Sequence, residues 1–435
     1  MKSVRLAFGE DGFDFKWDDT EVDATVILPV DPPTLADPFG GFQKALLDPS
    51  ESESFVEVAR RQLEPVQKTG RIPKIVIVIA DHTRPVPDRL LVPWLVDALG
   101  ALAVPDEAVT ILVGTGTHRG STPEELRKML GAAAERFQVV NHCCEAKDLV
   151  LVGRSSCGGE CWLNPLWVEA DLRLATGFIE PHFYAGFSGG SKAVVPGIAG
   201  LQTVKHFHRA SLIAHRNTTW GELRKNPLQK LTREMVTLCP PHFIVNVTLN
   251  RAKEITGFFA GAFEAAHDAG CAAALHEAMI PVTREYPVVI TTNAGYPLDQ
   301  NFYQTVKGIS AASRIVEKGG TVLSISRCNV GLPDEGAFRE ILATGCTNAE
   351  LHAVIRSALE TRHDQWQVQT LLQCLEKARV VLYSELTKEQ RGATRTEHTQ
   401  DPVGLVRELA ARKLPGERLA VAIMPLGPLT IPYIP

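Results

Sequence analysis

The sequence predicts an α/β protein: two α/β domains with mostly parallel sheets and an active-site cleft between them. Three observations lead there. Short apolar runs alternate with helical stretches, polar clusters recur where the apolar runs end, and a second strand-helix series begins near Pro287. In parallel sheets, ligands sit in the crevice beyond the carboxyl ends of the strands, so these polar clusters are expected to converge on one crevice.

The elements follow in order. Val22 to Leu28 is the clearest β run of the first fifty residues, followed by a helix through Phe55 to Gln67. The strand KIVIVIA, Lys74 to Ala80, ends in Asp81-His82-Thr83-Arg84. Ala108 to Val113 runs into Gly114-Thr115-Gly116-Thr117-His118, and Asp171 to Thr176 precedes a glycine-rich stretch from Glu180 to Gly200. Between them, Thr122-Pro123-Glu124-Glu125 opens a helix: Thr122 can cap it, Pro123 suits the first turn and Glu125 completes a capping box. The second series reads as strand Val288 to Thr292, helix Gln304 to Glu317, strand Thr321 to Ser326, helix Asp364 to Glu376 and strand Val380 to Ser384. Thr387 to Gln400 reads as a linker or exposed turn before a helix near Pro402 to Arg412 and a last strand, Leu419 to Met424. The expected division is an N-terminal cofactor-binding domain over residues 1–283, completed by 401–435, and a C-terminal domain over 284–400.

Composition narrows the function class. A net charge of -5 without a long basic run offers no general attraction to nucleic acid. The first residues lack the apolar core of a signal peptide and no window approaches a membrane span, so a cytoplasmic protein without a membrane partner is expected. The nine cysteines are scattered and odd in number, which reads as buried thiols rather than a disulfide framework. Cys143, Cys144, Cys157 and Cys161 are spaced too irregularly for a structural zinc site.

Several segments could carry chemistry. Asp81 and Arg84 stand at a strand end, where Arg84 could grip a carboxylate and Asp81 orient a neighbour; a structural salt bridge or helix cap is the plainer reading. The Gly114–His118 loop could hold a phosphate on its N–H groups and hydroxyls, with His118 as acid or base, although a lone loop histidine is more often a packing residue. The stretch EPHFYAGFSGGSKAVVPGIAG, with five glycines and two prolines, is neither plain helix nor plain strand, and its backbone must approach something closely. It is not a phosphate loop of the GxxxxGK[ST] kind, because Ser191 precedes Lys192 and Ala193 follows it. Lys192 could be an anion-binding charge or a covalent attachment point. His206, His208 and His215 follow; histidines from several loops suit a transition metal, but no HExxH motif marks a zinc hydrolase. In the second series Gln304 and Lys307 share a helix face near its start, where an anion is favoured, or simply face solvent. Trp366, near the start of a later helix, is by default core.

Together DHTRPVP at 81–87, GTGTHR at 114–119, PHFYAGFSGGSKAVVPGIAG at 181–200, the histidine sixteen residues after Lys192, GYPLDQNFYQTVKG at 295–308 and DQWQVQ at 364–369 resemble the nickel-pincer lactate racemase family over nearly the whole chain. The resemblance implies a racemase or epimerase of 2-hydroxy acids and a nickel-pincer nucleotide cofactor, pyridinium-3-thioamide-5-thiocarboxylic acid mononucleotide carrying nickel. It implies partner enzymes that synthesise that cofactor; a host lacking them would produce apoprotein. By position, His208 matches the nickel ligand, with His206 the fallback; Lys192 matches the lysine that can join the cofactor covalently; Thr115, Gly116, Ser188 and Gly189 fall in the cofactor-binding segments. His118 and His182 match the paired acid-base histidines. Arg84, Gln304 and Lys307 would anchor the substrate carboxylate, Trp366 would wall the pocket and Asp81 would orient a neighbour. The alternatives are a noncatalytic protein that stores or delivers the cofactor, and a zinc-dependent hydrolase using His118, His182 and His208.

Overall fold

A computed structural model describes residues 1–333 and 336–435, which form two compact units. One comprises residues 31–208 and 217–275, the other residues 1–30, 209–216 and 276–435.

The unit holding residues 31–208 is built on a six-stranded sheet in the order Ile255–Gly261, Phe243–Leu249, Leu172–Phe178, Ile75–Ala80, Val109–Gly114, Gln138–Asn141. All neighbours are parallel except the Ile255–Gly261 edge strand. Ile75, Val76, Ile77, Val78 and Ile79 are all buried, as a strand covered by helices on both faces requires. Chain order reverses between the 75–80 and 172–178 strands, and the residues that leave this switch point are Asp81 on one side and the 179–200 loop on the other. Phe55, Leu63, Leu91, Leu95 and Phe243 close the core on the sheet. The helix Pro123–Leu130 starts as its sequence predicts: Thr122 Oγ1 accepts from the Glu125 N–H, and Glu125 accepts from the Thr122 N–H at 2.8 Å.

The other unit carries a parallel sheet in the order Glu397–His398, Arg379–Tyr383, Val316–Ile325, Tyr286–Thr292, Leu419–Met424, Val22–Val26. Its membership corrects the expected boundaries. The last strand, Leu419–Met424, pairs with Tyr286–Thr292 and with Val22–Val26, so residues 401–435 complete this unit, and residues 1–30 join it. The Gly9 N–H donates to Asp299 Oδ2 at 2.8 Å and the Tyr296 N–H to the Gly9 carbonyl at 2.9 Å, which ties the N-terminal segment to the 295–299 loop.

Two elements also differ. The helix expected to run to Glu317 spans Phe302–Ala312, because Val316 already pairs with Tyr286 in the sheet. Within the expected linker, Thr387 and Gln390 form a capping box that starts the helix Lys388–Gly392, and Glu397–His398 makes the sheet edge. Among the described residues no helix is long and apolar enough to cross a membrane.

Asp88, in the first turn of the helix Asp88–Ala98, is wholly buried, with the Thr176 hydroxyl donating to its Oδ1 at 2.7 Å. Burial pushes its carboxyl up to about 7, with the Thr176 bond opposing. The unfolded chain releases this proton near pH 4 and the fold keeps it to about 7, so stability is expected to fall as pH rises through that window. Asp88→Asn, neutral and isosteric, is expected to remove this loss, worth up to about 4 kcal/mol, and to raise Tm at pH 8 but not at pH 4. Thermal melts of both proteins across pH 4–8 check it; parallel Tm curves would contradict it.

Candidate active site

The site residues of the first unit gather on three consecutive loops at the carboxyl ends of its strands. Asp81 follows the Ile75–Ala80 strand and is 4 % exposed. Its Oδ2 accepts from His118 Nδ1 at 2.6 Å, while its Oδ1 accepts from the Thr83 hydroxyl at 2.6 Å and the Thr83 N–H at 3.0 Å. Burial alone would raise this carboxyl; the His118 bond, the imidazole and Arg84 charges and the Thr83 bond outweigh it and hold Asp81 well below the usual carboxylate range. A carboxylate at Nδ1 fixes the proton there and leaves the lone pair of neutral His118 on Nε2. Arg84 is partly buried on the same turn, its N–H bonded to the Asp81 carbonyl at 3.1 Å.

The 114–118 loop departs from its sequence reading. Thr115 Oγ1 donates to the His142 carbonyl at 2.8 Å, and the N–H groups of Thr115, Gly116 and His118 go to the carbonyls of Val113, Gly197 and Thr115. Four of the donors expected to hold a phosphate, the Thr115 hydroxyl and the Thr115, Gly116 and His118 N–H groups, are thus used inside the protein. Behind them buried His142 bonds Asn164 at 3.2 Å and the Ala199 carbonyl at 3.0 Å, so the loop is braced against the 197–199 segment. Thr115 and Gly116 therefore shape the site rather than offer those donors to a ligand.

The 180–200 stretch opens with a two-residue hairpin, Pro181–His182 against Gly186–Phe187. His182 Nδ1 accepts from the Tyr184 and Ala185 N–H groups at 3.2 and 3.3 Å, so in neutral His182 the proton sits on Nε2. The two histidines are held in opposite tautomers. Ser188 Oγ donates to the Phe178 carbonyl at 2.8 Å and accepts from the Glu180 N–H at 3.0 Å, which closes the loop on itself. Gly189 and Gly190 have φ of +74° and +54°, and the turn continues into the short helical turn Gly190–Ala193 that carries half-buried Lys192. The Ser188 hydroxyl is thus used within the loop, and Gly189 supplies a turn with positive φ.

Gly186 has φ of +77°, and a Cβ there would collide with the Glu222 carbonyl. Gly186→Ala is expected to cost about 2–4 kcal/mol, read as a drop in the urea midpoint; an unchanged midpoint would mean that the hairpin is not held as described.

His208 ends the helix Leu201–Phe207 and its Nδ1 donates to the Val204 carbonyl at 3.1 Å, which leaves the lone pair on Nε2, as a metal-binding imidazole requires. His206 lies about 200° around the helix from position 208. Its ring sits where a Cβ on residue 159 would be and its Nε2 meets Cys157 Sγ at 3.3 Å, so His206 belongs to a different surface from His208. The Tyr184 ring joins the two remaining histidines, 5.7 Å from the His182 ring and 5.8 Å from that of His208. Tyr184 was not among the residues singled out from the sequence; its only signal was its place in the PHFYAGF run, where an aromatic reads as core. Asn226 supports it from below, Nδ2 donating to the Tyr184 carbonyl at 2.6 Å.

In the other unit Asn301 Oδ1 caps the helix Phe302–Ala312 by accepting from the Gln304 N–H at 2.9 Å. Gln304 and Lys307 lie on one face of that helix and both are partly buried. Gln304 Oε1 is buried without a hydrogen-bond partner. Trp366 is 4 % exposed; its Nε1–H donates to the Tyr303 hydroxyl at 3.2 Å, and that hydroxyl donates to Asp364 Oδ1 at 3.2 Å.

Comparison with known proteins shows the family. Residues 8–221 match the lactate racemase N-terminal domain family and residues 283–425 the lactate racemase C-terminal domain family. The chain is 36 % identical to the lactate racemase of Lactiplantibacillus plantarum over 347 residues, 79 % of each chain. It is 35 % identical to that of Thermoanaerobacterium thermosaccharolyticum over 340 residues, 76 % of this chain and 79 % of that one. The solved lactate racemase apoprotein from Thermoanaerobacterium thermosaccharolyticum superposes with a TM-score of 0.88 at 29 % identity, covering 99 % of this chain and all of that one. The chain belongs to the lactate racemase family and is an enzyme, an isomerase.

Proposed function

We propose that this enzyme racemises a 2-hydroxy acid, lactate or a close relative, with the C2 hydrogen leaving as a hydride while an imidazole takes the hydroxyl proton. The observation that carries the reading is the 2.6 Å pair of Asp81 and His118, which presents a neutral Nε2 base held by a buried carboxylate. The C2–H of a hydroxy acid is weakly acidic; oxidation through the hydroxyl avoids a carbanion and passes through a 2-keto acid.

The residues fit a nickel-pincer nucleotide. Among the described residues no three or more His, Cys, Asp or Glu side chains are grouped to hold a metal ion. A metal that arrives with its own sulfur and carbon ligands needs one further donor, which His208 Nε2 would provide. Lys192, on its glycine-shaped turn, would tether or pair with the nucleotide. When bound, the group supplies a reversible hydride acceptor.

The chain's own residues do the rest. Arg84 binds the carboxylate, and His118 Nε2 takes the hydroxyl proton. His182 donates at Nε2 toward the opposite face. Exchanging a proton there in either direction requires a proton on Nδ1, so the 182–185 turn must release the ring from the Tyr184 and Ala185 amides during turnover. Gln304 and Lys307 are assigned by family resemblance to anchoring the substrate carboxylate, through the Gln304 amide N–H and the Lys307 ammonium. Trp366, its indole N–H already bonded to Tyr303, would present its ring as an apolar wall.

Protein produced together with the cofactor-synthesis enzymes is expected to interconvert D- and L-lactate or another member of a 2-hydroxy acid panel. Bound nickel cofactor with no exchange in any member would overturn the reading and leave a delivery role.

A further inference from the structure

We propose that His267 is a positioning residue for the Lys192 loop, acting from the helix beneath it through the Ser188 carbonyl and Gly190. This rests on the reading of that loop as the cofactor-binding loop.

His267, on the helix Phe263–Ala278, is fully buried and has no part in the mechanism above. Its Nε2 lies 2.9 Å from the Ser188 carbonyl, which can only accept, so Nε2 carries the proton. Its Nδ1 is then a lone pair, and Arg233 Nη2 donates to it at 3.1 Å while also pairing with Asp268. The imidazole is therefore fixed in one tautomer between a guanidinium and a backbone carbonyl. The ring fills the space a Cβ on residue 190 would need, so the φ of +54° at Gly190 and the flat approach of the ring belong together. From the strand Phe243–Leu249, Asn246 Oδ1 accepts from the Gly190 N–H at 2.8 Å. Two buried side chains thus grip the turn immediately before Lys192, one on the carbonyl of residue 188 and one on the amide of residue 190.

Burial keeps His267 neutral. Burial is the main cause that brings it down to about 4; the cations of Arg233 and Lys192 add to this, and the Ser188 bond and Asp268 oppose it. The Cys271 thiol, 3.3 Å from Nε2, is itself held protonated by burial. Without the Arg233 donor the ring is free to carry its proton on Nδ1 beside Asp268, and Nε2 would then no longer donate to the Ser188 carbonyl.

Peptide-resolved hydrogen exchange on the apoprotein tests this without the cofactor. Exchange of the 188–194 amides, corrected for intrinsic rate, is expected to be about tenfold or more faster in His267→Leu, which keeps bulk but loses the donor, than in wild type. His267→Gln, whose amide can still donate to the Ser188 carbonyl, is expected to stay within about threefold of wild type. Arg233→Met, which removes the donor that fixes the tautomer, is expected to speed the same amides by about threefold or more already at pH 8. The amine of Lys192, followed by reductive methylation and mass spectrometry, should change rate in parallel with the loop. His267→Leu or Arg233→Met exchanging like wild type would overturn the proposal. If His267→Leu does not fold, Arg233→Met decides alone. Wild-type protein that never loads cofactor would end the reading of the loop without touching this result.

Discussion

Asp81→Asn is expected to lower kcat for C2 racemisation by about 10³–10⁴ with the fold retained. The carboxylate at 2.6 Å holds the proton of His118 on Nδ1. An asparagine amide rotated to donate toward Nδ1 would move that proton to Nε2, and the nitrogen facing the substrate would cease to be a base. KM for the hydroxy acid should change little, because Arg84 still holds the carboxylate. His118→Ala should be at least as damaging, and the double variant no worse than His118→Ala alone, since the two groups act as a unit. Steady-state rates of the three variants check this. Additive losses would mean that Asp81 serves something other than His118. The carboxyl of Asp81 is held well below the ordinary range, so its orienting charge is present at any pH above about 4. The acid limb of the rate profile should therefore not report Asp81.

His208→Ala is expected to purify with at least about tenfold less nickel than wild type when both are produced with the cofactor-synthesis enzymes. His206→Ala is expected to retain its nickel. The contrast follows from the helix: His208 Nδ1 is tied to the Val204 carbonyl, which orients Nε2 as the ligand atom, whereas His206 is turned onto Cys157 and the Gly159 backbone. Metal analysis with intact mass reads both quantities. Equal nickel in wild type and His208→Ala, or loss with His206→Ala alone, would move the ligand.

Local pattern carried much of this site. Unbroken apolar runs such as Ile75–Ala80 were legible because strands covered on both faces leave no alternation, and the polar residues after them marked the strand ends. Partners distant in sequence were not legible. Residues 1–30 and 401–435 join the second unit because Val22–Val26 and Leu419–Met424 pair with each other, a contact no local window contains. The Gly114–His118 loop looked like a phosphate cradle; only the positions of Val113, Gly197 and His142 reveal that its donors are used internally. Tyr184 and His267 were missed for a similar reason. An aromatic in a glycine-rich run and one histidine in an alanine-rich helix look like packing until their neighbours are known.

If the hydroxyl proton goes to His118 while the C2 hydrogen travels as a hydride, the fate of a C2 label shows it most directly. Holoenzyme given C2-deuterated L-lactate in ordinary water, or the equivalent deuterated member of the panel that it turns over, should yield the D-enantiomer with the deuterium still at C2. Deuterium replaced by solvent hydrogen in the product would instead make the reaction a C2 proton abstraction and contradict the account.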